Sequence, residues 1–253
     1  RWTVSEVDCF IANSQVLVQR LHADGVPPSR ITLIHEGVNI ERIERLPSAN
    51  LHADLYLPTR APIVGTVAPL VASKGLHHLI NAAVLAIRSV PDLRVVIAGD
   101  GPLRASLEKQ IHEHHLERHV FLAGFRPDAV EVTKAFDVFA LSSLSEGMCT
   151  ALVDAMAASR AAVATSVGGI PEVAVDGETA FLVPARDEEA MATRLVQLLK
   201  DEALRVRMGT AAHARARELF GVDRMVDGTV AVYERLLNST AQPRTARAAQ
   251  GTL

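Results

Sequence analysis

From Pro62 onward, short apolar runs alternate with longer segments of helical periodicity, and few folds accommodate that pattern. The runs are Ile63–Val67, Leu93–Ala98, His119–Leu122, Val138–Leu141, Ala161–Thr165 and Ala180–Val183. Most are apolar nearly throughout, as strands are when both faces of a sheet are covered. Between them lie segments such as Gly75–Ser89, where Leu76, Leu79, Ile80, Ala83 and Ile87 form one stripe at helical spacing. Strand-then-helix alternation predicts an α/β fold with a parallel, doubly wound sheet.

The flanks extend this reading. Val7–Asn13 and Ile31–Ile34 read as strands, and Gln15–Ala23 as a helix capped by Ser14. Residues 41–60 are charged and broken by Pro47 and Pro58, which predicts a linker over 46–61. Asp187 caps a helix to Lys200; helices Asp201–Leu219 and Val222–Asn238 follow. Residues 239–253 hold few large apolar side chains and are expected to be disordered.

Composition removes several functional classes. A net charge of −3 speaks against a generic nucleic-acid binder. Cys9 and Cys149 are too few for a disulfide framework and lack metal spacing, which fits a reducing cytoplasm. No run approaches the roughly 18 apolar residues of a membrane span. The chain starts at Arg1, without a signal-peptide pattern, and reads as a fragment or a processed chain. Peripheral contact with an anionic inner membrane stays open, although no basic amphipathic stripe supports it. His112, His114, His115 and His119 sit among Glu113, Glu117 and Arg118, which reads as a solvated helix face rather than a metal site.

Chemistry concentrates in Ser145-Glu146-Gly147-Met148-Cys149-Thr150 and the segment that follows, through Asp154 to Met156. An apolar strand precedes it and an Ala/Leu-rich helix follows, so Glu146 and Gly147 lie on a strand-to-helix turn. Such turns are where open α/β sheets bind ligands. The helix start offers unpaired N–H groups and a positive dipole end, which suit phosphate. Carboxylates there repel phosphate but suit sugar hydroxyls. Glu146 and Asp154, about two turns apart at ~3.6 residues per turn, could hold hydroxyl-bearing groups on either side of a diphosphate. Taken singly, Glu146 is equally a turn carboxylate, Asp154 a solvated charge, Lys74 a surface lysine and Cys149 a small buried residue.

Several stretches together resemble the retaining glycosyltransferase family 4, of the GT-B fold. They are Ile11-Ala12-Asn13-Ser14, Ile34-His35-Glu36-Gly37-Val38-Asn39, Lys74-Gly75, Ala98-Gly99-Asp100-Gly101-Pro102, Phe121-Leu122-Ala123-Gly124-Phe125, Ser145-Glu146-Gly147 through Ala157, and Gly168-Gly169-Ile170-Pro171-Glu172. They occur in the family's order over roughly residues 7–184. The resemblance implies a C-terminal remnant of an acceptor-side domain at 1–45 and a Rossmann-like nucleotide-sugar domain at 62–220. It also implies a helix at 221–238 crossing back to the first domain, most of which is then missing from this chain.

The resemblance also implies roles. Glu146 would contact sugar hydroxyls and Lys74 the donor diphosphate, both at the reacting centre. The backbone from Gly147 through Met148 and Cys149 to Thr150 would meet phosphates and sugar. Asp154, where the family has glutamate, would take the ribose hydroxyls. The main chain at Phe125 and Arg126 would read the base. Pro69 stands where the family has an arginine, which removes a bidentate phosphate clamp. Met148 and Cys149 replace the aromatic and glycine often found there.

The implied reaction is transfer of a sugar, with retention, from a nucleotide-diphosphate sugar to an unidentified sugar, lipid or protein acceptor. Cell-envelope polysaccharide synthesis is the implied setting, with no cofactor or metal. The alternatives are a nucleotide-sugar 2-epimerase of the same fold and a non-catalytic nucleotide-sugar-binding module. A dinucleotide dehydrogenase is disfavoured because no Gly-x-Gly-x-x-Gly follows the first strand.

Overall fold

The computed structural model describes residues 6–240, with side chains to 238. The runs from Ile63 onward become β3 (Ile63–Val67), β4 (Arg94–Ala98), β5 (Val120–Gly124), β6 (Val138–Leu141), β7 (Ala161–Thr165) and β8 (Phe181–Val183). They form a six-stranded sheet in the order β5-β4-β3-β6-β7-β8, with every pairing parallel. Chain order therefore reverses between β3 and β6. Loops leaving those two strands diverge and open a crevice at their carboxyl ends, the place where such sheets bind ligands.

Helices cover both faces, and successive strand residues serve opposite sides. Val138 and Ala140 pack with α4 (Leu76–Ile87), α5 (Arg104–Glu113) and α9 (Glu188–Lys200). Phe139 and Leu141 pack with α6 (Ala129–Lys134), α7 (Thr150–Ala157) and α10 (Glu202–Leu219). Burial on both faces explains why these strands lack polar alternation.

A second, two-stranded parallel sheet pairs β1 (Phe10–Ala12) with β2 (Ile31–Leu33), joined through α1 (Gln15–Ala23). Both strands are shorter than the sequence runs. Ser14 caps α1 as expected, accepting the Leu17 N–H at 3.3 Å. The last helix, α11 (Val222–Thr240), lies against this small sheet: Arg235 Nη2 donates to Thr32 Oγ1 at 3.0 Å. Its Val226, Val230, Tyr233 and Leu237 are exposed.

The stretch expected as a linker is packed instead. Asn39 caps α2 (Ile40–Arg45) and Asn50 caps α3 (Leu51–Asp54), while Ile40, Ile43, Leu51 and Leu57 are buried in the core. Its charges occupy the outer face of short helices, and Lys134 Nζ holds the end of α2 by donating to the carbonyls of Ile43 and Leu46. Charge density there reflected amphipathic turns rather than a solvated tether. The expectation of disorder over 239–253 falls outside the described residues, save for the end of α11.

Candidate active site

The loop after β3 ends in a single tight turn, Ala72–Lys74, followed by Gly75 in the left-handed region (φ 57°). A Cβ at Gly75 would lie 2.2 Å from the Ser142 carbonyl oxygen, so only glycine lets this loop rest against the end of β6. Ser142 Oγ then donates to the Lys74 carbonyl at 3.0 Å, and the Leu144 N–H to the Ser73 carbonyl at 2.7 Å. These bonds bring together two loops that are far apart in sequence.

The result is a tight ion pair. Lys74 Nζ lies 2.6 Å from Glu146 Oε1, and Ser143 Oγ donates to the same oxygen at 2.6 Å. The Glu146 side chain is 8% exposed and that of Lys74 20%. Ser143 is fully buried, and its carbonyl accepts the Thr165 hydroxyl at 2.6 Å. Oε1 therefore carries two donors, while Oε2 has none among the described residues.

The turn behind Glu146 is held by the Gly168–Gly169 loop. Gly168 has φ 54°, and a Cβ there would approach the Glu146 carbonyl oxygen to 1.8 Å. The Gly169 N–H donates to the Gly147 carbonyl at 2.9 Å. Three residues on, Glu172 accepts the Gln15 N–H at 2.7 and 2.9 Å and the Val16 N–H at 3.3 Å, covering the start of α1. His35 Nε2 reaches the same carboxylate at 3.4 Å.

Lys74, Phe125, Arg126, Glu146, Met148, Cys149, Thr150 and Asp154 all line one cleft of about 470 Å³ beyond the switch point. Gly147, between two of these residues, is exposed; its carbonyl accepts the Gly169 N–H, and it lies near the Asn13 side chain. Cys149 precedes α7 without a side-chain cap bond, and the helix start carries no acid. Its thiol is pushed up to about 11, chiefly by burial and then by the Glu146 charge. Met148 is buried, and its Sδ accepts the Glu36 N–H at 3.2 Å.

Asp154 sits further along α7. Burial pushes its carboxyl up to about 6, against the opposing pull of Arg42. No side chain or backbone group among the described residues donates to it. Exposed Phe125 follows Gly124, and Arg126 beside it lines the cleft. Arg126 Nε and Nη2 grip Asp128 at 2.7 and 2.5 Å, and Nη1 and Nη2 reach Asp54 at 3.1 Å. These bonds hold its pKa above the ordinary arginine value.

Pro69 lines the wall and contributes no cation. His112 pairs with Glu117 at 2.7 Å on an exposed helix end. Among the described residues, no group of three His, Cys, Asp or Glu side chains is placed to hold a metal ion.

Sequence reading missed Ser142, Ser143, Thr165, Asp54 and Asp128. The serines left a signal: two hydroxyls ending an apolar strand have no use in a core. Asp54 left none, since its partner lies seventy-two positions away.

A family model described as glycosyl transferases group 1 matches residues 48–215, and one described as glycosyltransferase family 4 matches residues 1–42. The chain belongs to the group 1 glycosyl transferases. Its relatives include N-acetyl-alpha-D-glucosaminyl L-malate synthase of Bacillus anthracis, 25% identical over 94% of this chain and 62% of that protein. Another is a D-inositol 3-phosphate glycosyltransferase of Streptomyces avermitilis, 32% identical over 91% of this chain and 52% of that one. The crystal structure of Anabaena Alr3699/HepE in complex with UDP-glucose superposes with a TM-score of 0.81 at 25% identity, covering 91% of this chain and 64% of that one. The chain thus spans between half and two thirds of the length of these three proteins. As in that group, its sheet is of the Rossmann-like GT-B type. No helix among the described residues is long and apolar enough to cross a membrane.

Proposed function

We propose that the cleft binds a nucleotide-diphosphate sugar, and that the protein to which this chain belongs transfers the sugar to an acceptor with retention and without a metal. One observation carries this reading: Lys74, Glu146 and Asp154, from two loops and a helix, converge on a single cleft at the sheet's switch point. Asp154 carries no donor of its own and offers both oxygens to ribose hydroxyls. The uncapped start of α7 and Lys74 Nζ receive the diphosphate. Glu146 Oε2 takes the sugar hydroxyls while Oε1 stays bound to Lys74 and Ser143.

In the reaction, the bond between the anomeric carbon and the diphosphate oxygen breaks, and charge grows on the leaving phosphate. Lys74 is placed to stabilise that charge in a partly enclosed cleft. UDP-glucose bound to the Anabaena protein supports this donor class.

The test is thermal denaturation of the purified chain with nucleoside diphosphates and nucleotide sugars. A ligand at a hundredfold excess over Kd stabilises by about 2.7 kcal/mol, or roughly 5–10 °C for a chain of this size. Lys74→Ala and Glu146→Ala should reduce the shift. No shift with any member of the panel would falsify the donor reading.

A further inference from the structure

Building on the donor assignment above, we infer that the sugar this cleft accepts carries no charge: a neutral hexose or N-acetylhexosamine rather than a hexuronate. The cleft's charge inventory points there. Its lining has two cations, Lys74 and Arg126, against three acids, Asp100, Glu146 and Asp154.

Neither cation is free to meet a carboxylate on the sugar. Arg126 is taken by Asp128 and Asp54, whose two carboxylates neutralise its charge and occupy four of its five N–H donors at 2.5–3.1 Å. Lys74 is shared already: Glu146 holds it at 2.6 Å, and a diphosphate must be served by the same ammonium. Pro69 adds nothing. Arg42, which pulls on Asp154, is not among the residues that line this cleft.

The donors left at the sugar end, the Thr150 hydroxyl and the uncapped start of α7, carry no full charge, and the acceptor without a donor among the described residues is Glu146 Oε2. Hydroxyls and amides donate to it. A sugar carboxylate meets a like charge in a partly enclosed site where screening by water is reduced.

Matched pairs isolate the effect. UDP-glucose and UDP-glucuronate differ only at C6, as do GDP-mannose and GDP-mannuronate, so the base can be left open. Calorimetric titration of the chain should show the hexuronate at least about tenfold weaker than its hexose, equivalent to ~1.4 kcal/mol. Glu146→Gln, which removes the facing charge and releases Lys74, should narrow the ratio within each pair. A hexuronate that binds the native chain as tightly as its hexose, alongside clear UDP or GDP binding, overturns the inference and leaves the donor reading intact. Failure of UDP, GDP and all four sugars to bind overturns both.

Discussion

Asp154 is an acid that the fold holds at a cost, and replacing it separates stability from binding. Its carboxyl ionises near about 6 in the folded chain against 3.8 as an ordinary aspartate. The fold thus favours the protonated form. Stability is fully present below the unfolded value and is lost as pH rises through the folded one. Above about pH 7 that difference corresponds to about 3 kcal/mol, at ~1.36 kcal/mol per unit. Water in the open cleft screens part of it, so Asp154→Asn should gain roughly 1–3 kcal/mol. This raises the melting temperature by about 2–4 °C for each kcal/mol. The gain should be roughly halved by about pH 5, because fewer native molecules then carry the charge. In the same variant the shift produced by a nucleoside diphosphate should shrink, since an amide offers one acceptor oxygen where the carboxylate offers two. Denaturation at several pH values, with and without nucleotide, reads both effects. An Asn variant no more stable than the native chain at about pH 7.5, or stabilised equally at every pH, would refute the burial argument.

Other variants address the neighbouring contacts. Ser143→Ala removes one of two donors on Glu146 Oε1 and should cost about 1–2 kcal/mol in chemical denaturation. It should also reduce the extra melting shift of a nucleotide sugar over its bare nucleoside diphosphate; an unchanged increment would mean the hydroxyl serves the fold alone. Gly168→Ala drives a Cβ to within 1.8 Å of the Glu146 carbonyl at a positive φ, and should destabilise by more than about 2 kcal/mol while weakening nucleotide-sugar binding. Cys149, with its thiol near about 11 and buried, should resist iodoacetamide at neutral pH and react faster as pH rises; rapid labelling of Cys149 in peptide mapping would contradict its placement.

The sheet was legible because its strands are buried on both faces, which writes continuous apolar runs into the sequence. The small sheet was harder: Val7–Asn13 reads as a longer strand than the three residues that pair. Residues 46–61 read as a tether because they follow the charged run of α2 and carry Pro47 and Pro58, yet Leu51 and Leu57 within them are buried. At the site, Glu146 and Asp154 were readable from their places on a turn and a helix at a strand end, while Lys74 entered only through the resemblance. The grip of Asp54 on Arg126 was not, since no local pattern records a partner brought near only by folding. Gly147, placed at the ligand by resemblance, lies exposed between Glu146 and Met148, which both line the cleft, with its carbonyl bonded to the Gly169 N–H.

The bonds around Gly169 and Glu172 give the two sheets a mechanical tie. Gly169 is fastened to Gly147, beside Glu146, and Glu172 to the first turn of α1. A rotation of the small sheet against the large one must either break those bonds or drag the Glu146 turn with it. The Glu146 carboxylate is thus geared to any movement of the smaller sheet by a lever only a few residues long.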